Sequence, residues 1–178
     1  QVRDRWQDIA SIRIETHESA LRIISKTGPL RNPADRDHCL QYMVAVALRR
    51  GTLTAEDYED SAAADPLIDQ LRDRMEVVEE PRYSREYLDP DKRSIANAIQ
   101  IEFADGSTTE RVEVENPIGH RRRRSDAVPL LRDKFQHNAE TRFSPDRVQR
   151  LLELFADTSR LDVLPVHEFI NLFAGTGR

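Results

Sequence analysis

The sequence is poorest in cysteine. Cys39 is the single one among 178 residues. A lone thiol excludes an intramolecular disulfide and a cysteine-ligated iron-sulfur cluster, which takes several thiolates, so a reducing compartment, the cytoplasm, is the expectation. There is also no apolar run near the roughly 20 residues that a membrane-spanning helix needs, and a third of the residues are charged. No membrane contact is expected. The first residues lack an initiator Met and the basic start, apolar middle and small-residue cleavage site of a signal peptide, from which residue 1 is expected to lie within a longer chain. Lysine is scarce too, present only at 26, 92 and 134, so the positive charge is almost all arginine. Arginine suits bidentate recognition of carboxylates, and it is also common in high-GC coding. With a net charge of −5 the chain offers no general attraction for phosphates, and no nucleic-acid partner is expected.

What is present reads as two kinds of segment. Residues 9–16 alternate, with Ala10, Ile12, Ile14 and Thr16 on one side, as in a half-buried strand. A short helical stretch over 18–26 stops at Gly28-Pro29. Helix resumes after Pro33, whose missing N–H has no partner in a first turn, and runs to Gly51. Thr54 and Asp57 have the spacing of a capping box and open a helical region to about Arg74, broken near Pro66. Residues 75–79 form a short strand candidate, and 95–103 with 108–115 flank Asp105-Gly106, a hairpin signal because both turn residues tolerate positive φ. Beyond Pro117 only helical patterns remain, over 125–143, 144–159 and 165–173, with Val148, Leu151, Leu152 and Phe155 as one apolar stripe. The expected fold class is α+β. Residues 1–118 form a small mixed or antiparallel sheet with packed helices, and 119–178 a separate set of helices.

The stretch Asn32 to Leu48 carries the chemistry. Asp35, Arg36, Asp37, His38 and Cys39 are consecutive ionisable residues at the start of a helix. At about 100° per residue in one unbroken helix, Leu40, Met43, Val44, Ala47 and Leu48 share an apolar face, while Asp35, His38, Cys39, Tyr42, Val46 and Arg49 lie on the other. Carboxylate, imidazole and phenol on one face can donate and accept protons and bind a carboxylated ligand. They are equally the groups of a solvated helix start, with Asp35 and Asp37 facing the helix dipole and Tyr42 a border aromatic. No second histidine or carboxylate stands at a metal-ligand spacing, and no metal or other cofactor is expected. The run Arg121 to Arg124 has no interleaved aromatics; it is either a solvated or salt-bridging loop, or it sends one arginine to a polycarboxylate. Gly119-His120 precedes it at the expected hinge between the two segments. His17, His137 and His167 follow no ligand spacing and are read as structural, and Trp6 as a packing anchor.

The stretches GPLRNPADRDHCLQYMVAVAL, LTAEDYED, DPDKRSIANAIQIEFADGS, PIGHRRRR and PVHEFINLF together resemble the C-terminal portion of the MmgE/PrpD family, in order and from about Ile9 to Phe173. The resemblance implies a metal-independent, cofactor-free hydro-lyase of propionate breakdown in the methylcitrate cycle, which removes water from 2-methylcitrate to give cis-2-methylaconitate. It also implies an all-helical domain mostly outside this chain, a smaller α+β lid at 1–118, a return to the helical domain at 119–178, and a homodimer. Carried over by position, Tyr42 matches a cleft tyrosine, and Asp37, His38 and Cys39 match the dehydratase-type signature. Tyr42 and His38 are thus the candidate catalytic residues, and Arg36, Asp37, His120 and Arg121 the candidate substrate-binding ones. The isolated chain is expected to be inactive for want of the remaining acid and base groups. Two alternatives stay open: another activity of the family on a related tricarboxylate, and a non-catalytic binding or assembly module built on the same fold.

Overall fold

The computed structural model describes residue 2 and residues 4–174, which divide into two compact units, Gln1–Pro117 and Ile118–Arg178. The first unit is built on a four-stranded mixed sheet in the order β2-β1-β3-β4. Its central strand β1, Ile9–Thr16, follows a 3-10 turn at Trp6–Asp8. Five helices then cross over to β2, Met75–Glu79, which pairs parallel to β1: α1 (Glu18–Ile24), α2 (Pro33–Asp37), α3 (Leu40–Arg50), α4 (Asp60–Ala63) and α5 (Pro66–Arg72). Helix α6, Pro81–Leu88, leads to β3, Asn97–Phe103, antiparallel to β1, and to the edge strand β4, Val112–Val114. The turn between them carries Gly106 at φ +78°, as the Asp-Gly pair predicts.

One face of the sheet holds the core. Ile9, Ile12, Ile14, Ile101 and Phe103 from the strands meet Cys39, Tyr42, Ala45 and Val46 of α3 and Ile68 and Leu71 of α5. Each isoleucine, leucine, valine and phenylalanine among them contributes roughly 1.5–3 kcal/mol by leaving water. A register shift between Ile9 and Ser11 alters the expected alternation: the extra residue turns Ile9 into the core and leaves Ala10 exposed. On the opposite face α6 buries Tyr83 against Ala96 and Ala98. Arg111 ties that helix to the strands, donating to Tyr83 Oη at 2.8 Å, to Glu15 at 2.8 Å through Nε, and to Glu113 at 2.9 Å.

The single helix expected from Pro33 to Gly51 is two. Asn32 caps α2 by accepting from the Asp35 N–H at 2.9 Å, and Gly51 at φ +79° ends α3. Between them Cys39 is extended (φ −129°, ψ 105°), which resets the helical phase. The expected division of faces fails for a further reason: α3 is covered by the sheet, by α5 and by the 54–60 segment, so it has no free polar face. Tyr42 and Val46, expected away from the core, are among its most buried side chains, whereas Ala47 is exposed.

The second unit is helical: α7 (Arg124–Glu140), α8 (Pro145–Ala156), α9 (Thr158–Val163) and α10 (Val166–Phe173). The helix expected over 144–159 ends at Asp157, which accepts from the Arg160 N–H at 3.1 Å and caps α9. Phe135 meets Phe155 edge-on at 5.1 Å, and Val148 and Leu151 are buried. Val128, Leu130 and Leu131 of α7 are half exposed.

Candidate active site

Four of the six predicted residues lie on α2, α3 and the corner between them, and two of these, Asp37 and His38, touch each other. Asp37 closes α2 and His38 follows it, both largely in water, with Asp37 Oδ1 2.5 Å from His38 Nδ1. In the neutral ring, a carboxylate beside Nδ1 favours the proton on that nitrogen. Among the described residues nothing else hydrogen-bonds the His38 ring. The pair is exposed, and the groups in it are of the kind that can move a proton.

Arg36 does not share that freedom. It is 4% exposed, and its two terminal nitrogens are taken by the Tyr58 carbonyl at 2.5 Å and Asp60 at 2.6 Å. Expected to grip substrate, it instead pins the Ala55–Tyr58 turn and the start of α4 under the corner. Tyr42 is buried too: it is 2% exposed and its hydroxyl donates to the Asp57 carbonyl at 2.6 Å. Burial pushes its phenol above the ordinary value. Asp57 is held further by Arg50 at 2.5 Å and by the N–H of Thr54 at 2.7 Å, the capping-box bond. The capping box thus opens a 3-10 turn, Ala55–Tyr58, rather than an α-helix.

The residue that sequence reasoning passed over is Tyr58. Nothing in the spacing shows that it stacks on Tyr42 and accepts from Arg36. Its half-buried ring packs on the core cluster and stacks on Tyr42 at 6.2 Å. Burial first, and then the negative charges of Asp37 and Asp57, push its phenol above the ordinary value, so it keeps its proton at neutral pH.

His120 and Arg121 open the second unit. His120 Nδ1 accepts from the Arg122 N–H at 3.2 Å and caps the 3-10 turn Arg121–Arg123; Arg121 itself is exposed. No group of three His, Cys, Asp or Glu side chains that could hold a metal occurs among the described residues. Nor is any helix among them long and apolar enough to cross a membrane.

Residues 1–159 match the MmgE/PrpD C-terminal domain. The chain belongs to the MmgE/PrpD family. The match takes in the whole sheet unit and continues through α8 to the start of α9. Within the family it is 55% identical over 167 residues to a 2-methylcitrate dehydratase of Cupriavidus necator, covering 94% of this chain and 34% of that protein. It is 52% identical to the 2-methylcitrate dehydratase of Escherichia coli K12 (93% of this chain, 34% of that protein) and 49% identical to the mitochondrial 2-methylcitrate dehydratase of Yarrowia lipolytica (93% and 32%). The chain spans about a third of the length of these relatives.

Proposed function

We propose that this chain is the C-terminal part of a hydro-lyase that dehydrates 2-methylcitrate to cis-2-methylaconitate. The observation that carries the reading is the identity of about half of all residues with MmgE/PrpD dehydratases over nearly the entire chain. In this reading the sheet unit is the lid of a cleft whose other wall is all-helical, the second unit belongs to that helical wall, and the enzyme is a cytoplasmic homodimer. The reaction is taken to need no metal or other cofactor.

Dehydration breaks a C–H bond alpha to a carboxylate and a C–OH bond, forms the double bond, and releases water. Protonated His38, with Asp37 balancing its charge, delivers the Nε2 proton to the departing hydroxyl. The base that takes the alpha proton belongs to the two thirds of the relatives that this chain does not span. Arg36 and Tyr42 act beneath the surface as positioning residues, and His120 and Arg121 are kept as candidates for pairing with a substrate carboxylate. Assay of the complete gene product tests this: 2-methylcitrate should be converted, with methylaconitate followed by its ultraviolet absorbance, faster than citrate. Absence of turnover on either tricarboxylate would contradict it. The 178-residue chain alone should be inactive.

A further inference from the structure

We propose that Gln41 is a positioning residue for His38: its buried carboxamide, acting through Cys39, fixes the backbone from which the imidazole projects. This inference rests on the dehydratase reading above. The His38 ring is exposed and has one hydrogen-bond partner among the described residues, the Asp37 carboxylate, so it is placed only as well as its own backbone. Two buried clamps hold that backbone. On the α2 side Arg36 binds the Tyr58 carbonyl and Asp60. On the α3 side the clamp is Cys39 with Gln41, both buried.

Cys39 stands where a serine, threonine, aspartate or asparagine would cap α3, yet its thiol makes no capping bond. The thiol lies instead 3.5 Å from the Lys26 carbonyl and 3.7 Å from Gln41 Oε1, and its one hydrogen can go to either. Gln41 Oε1 also accepts from the Lys26 N–H at 3.2 Å, and Gln41 Nε2 donates to Ser25 Oγ at 3.0 Å. Gln41, the Cys39 thiol and Lys26 thus close a ring between the loop that leaves α1 and the first turn of α3. A buried carboxamide is costly unless it is bonded, and this one is bonded at its oxygen and its nitrogen. What the ring supplies is direction. It holds Cys39 in the extended conformation between α2 and α3, and one planar peptide joins His38 to it. Without the carboxamide Cys39 is freed and the imidazole moves with it; a displacement of about 1 Å in a catalytic group can cost a hundredfold in rate.

Gln41→Met in the complete gene product keeps the length and the burial and removes both polar ends. The expected result is a loss of kcat of roughly ten- to a hundredfold, with KM within about threefold. A merely structural role would lower stability alike in any background, so the deciding readout is a double-mutant cycle on kcat with His38→Gln. The loss caused by Gln41→Met should vanish once His38 is gone. Should Gln41→Met fail to fold, Ser25→Ala removes only the Nε2 acceptor; its smaller loss should vanish in the same background. An active wild type with kcat unchanged in the folded variant, or the same loss with and without His38, overturns the Gln41 assignment alone. A wild type that turns over no tricarboxylate removes the dehydratase reading and this assignment together.

Discussion

Tyr42 and His38 are four residues apart and have opposite fates. The hydroxyl of Tyr42 is spent on a backbone carbonyl, so Tyr42→Phe should cost stability rather than turnover: about 1–2 kcal/mol, because the Asp57 carbonyl loses its partner in a buried place. Urea unfolding of the 178-residue chain reads this directly, and a midpoint equal to wild type would show that the bond contributes nothing. A second residue-scale effect concerns His17, which accepts the Ala20 N–H on Nδ1 at 3.2 Å and stacks on Tyr87 at 4.3 Å. Burial lowers its affinity for protons below the ordinary 6.5. The unfolded chain then binds more protons than the folded one, so stability is full above about pH 6.5 and falls as the pH drops from there toward the folded value. Glu113 adds a later stage. Arg82, then Arg111, holds its carboxyl at about 2 against an ordinary 4.5, and that contribution is lost as pH falls from 4.5 toward 2. His17→Asn keeps a capping acceptor and does not titrate; it should abolish the first stage and leave the second. A pH profile of the unfolding midpoint that keeps both stages in this variant would contradict the assignment to His17.

At the scale of elements, strands read better than helices. The spans of β1 and β2 follow from alternation and flanking breakers, and the hairpin from Asp105-Gly106. The two departures have local causes. The bulge near Ile9 moves one residue between faces, which period-two reading cannot anticipate. The break at His38-Cys39 has no proline or glycine to mark it; tertiary bonds of Arg36 and burial of Cys39 set the direction of α2 independently of α3. Helix α6 escaped notice because its polar sequence buries only Tyr83, too thin a stripe to register as periodicity. Its attachment depends on Arg111, whose bonds to Tyr83 and Glu15 span 28 and 96 residues of sequence. Such pairings leave no local signature. For the same reason the Asp37–His38 pair was legible, being adjacent in sequence, whereas Tyr58 was not.

At the scale of the whole molecule, the sheet unit has its own core, while α7 keeps Val128 and Leu131 half exposed beside Phe135 and Phe155 along one apolar groove. Exposed apolar patches promote association, so the 178-residue chain should show a mass that rises with concentration in sedimentation, and Val128→Asp with Leu131→Asp should return it to a monomer. A wild-type chain that stays monomeric at all concentrations would show that the groove needs no cover.

In the proposed function this chain supplies the Asp37–His38 pair to a dehydratase. The most direct test is the kcat of His38→Gln against wild type in the complete gene product, with 2-methylcitrate as substrate. Glutamine keeps a polar group at an exposed position and cannot carry the proton. The expected result is a fall of roughly a hundredfold or more with an unchanged melting temperature. A kcat within twofold of wild type would contradict it.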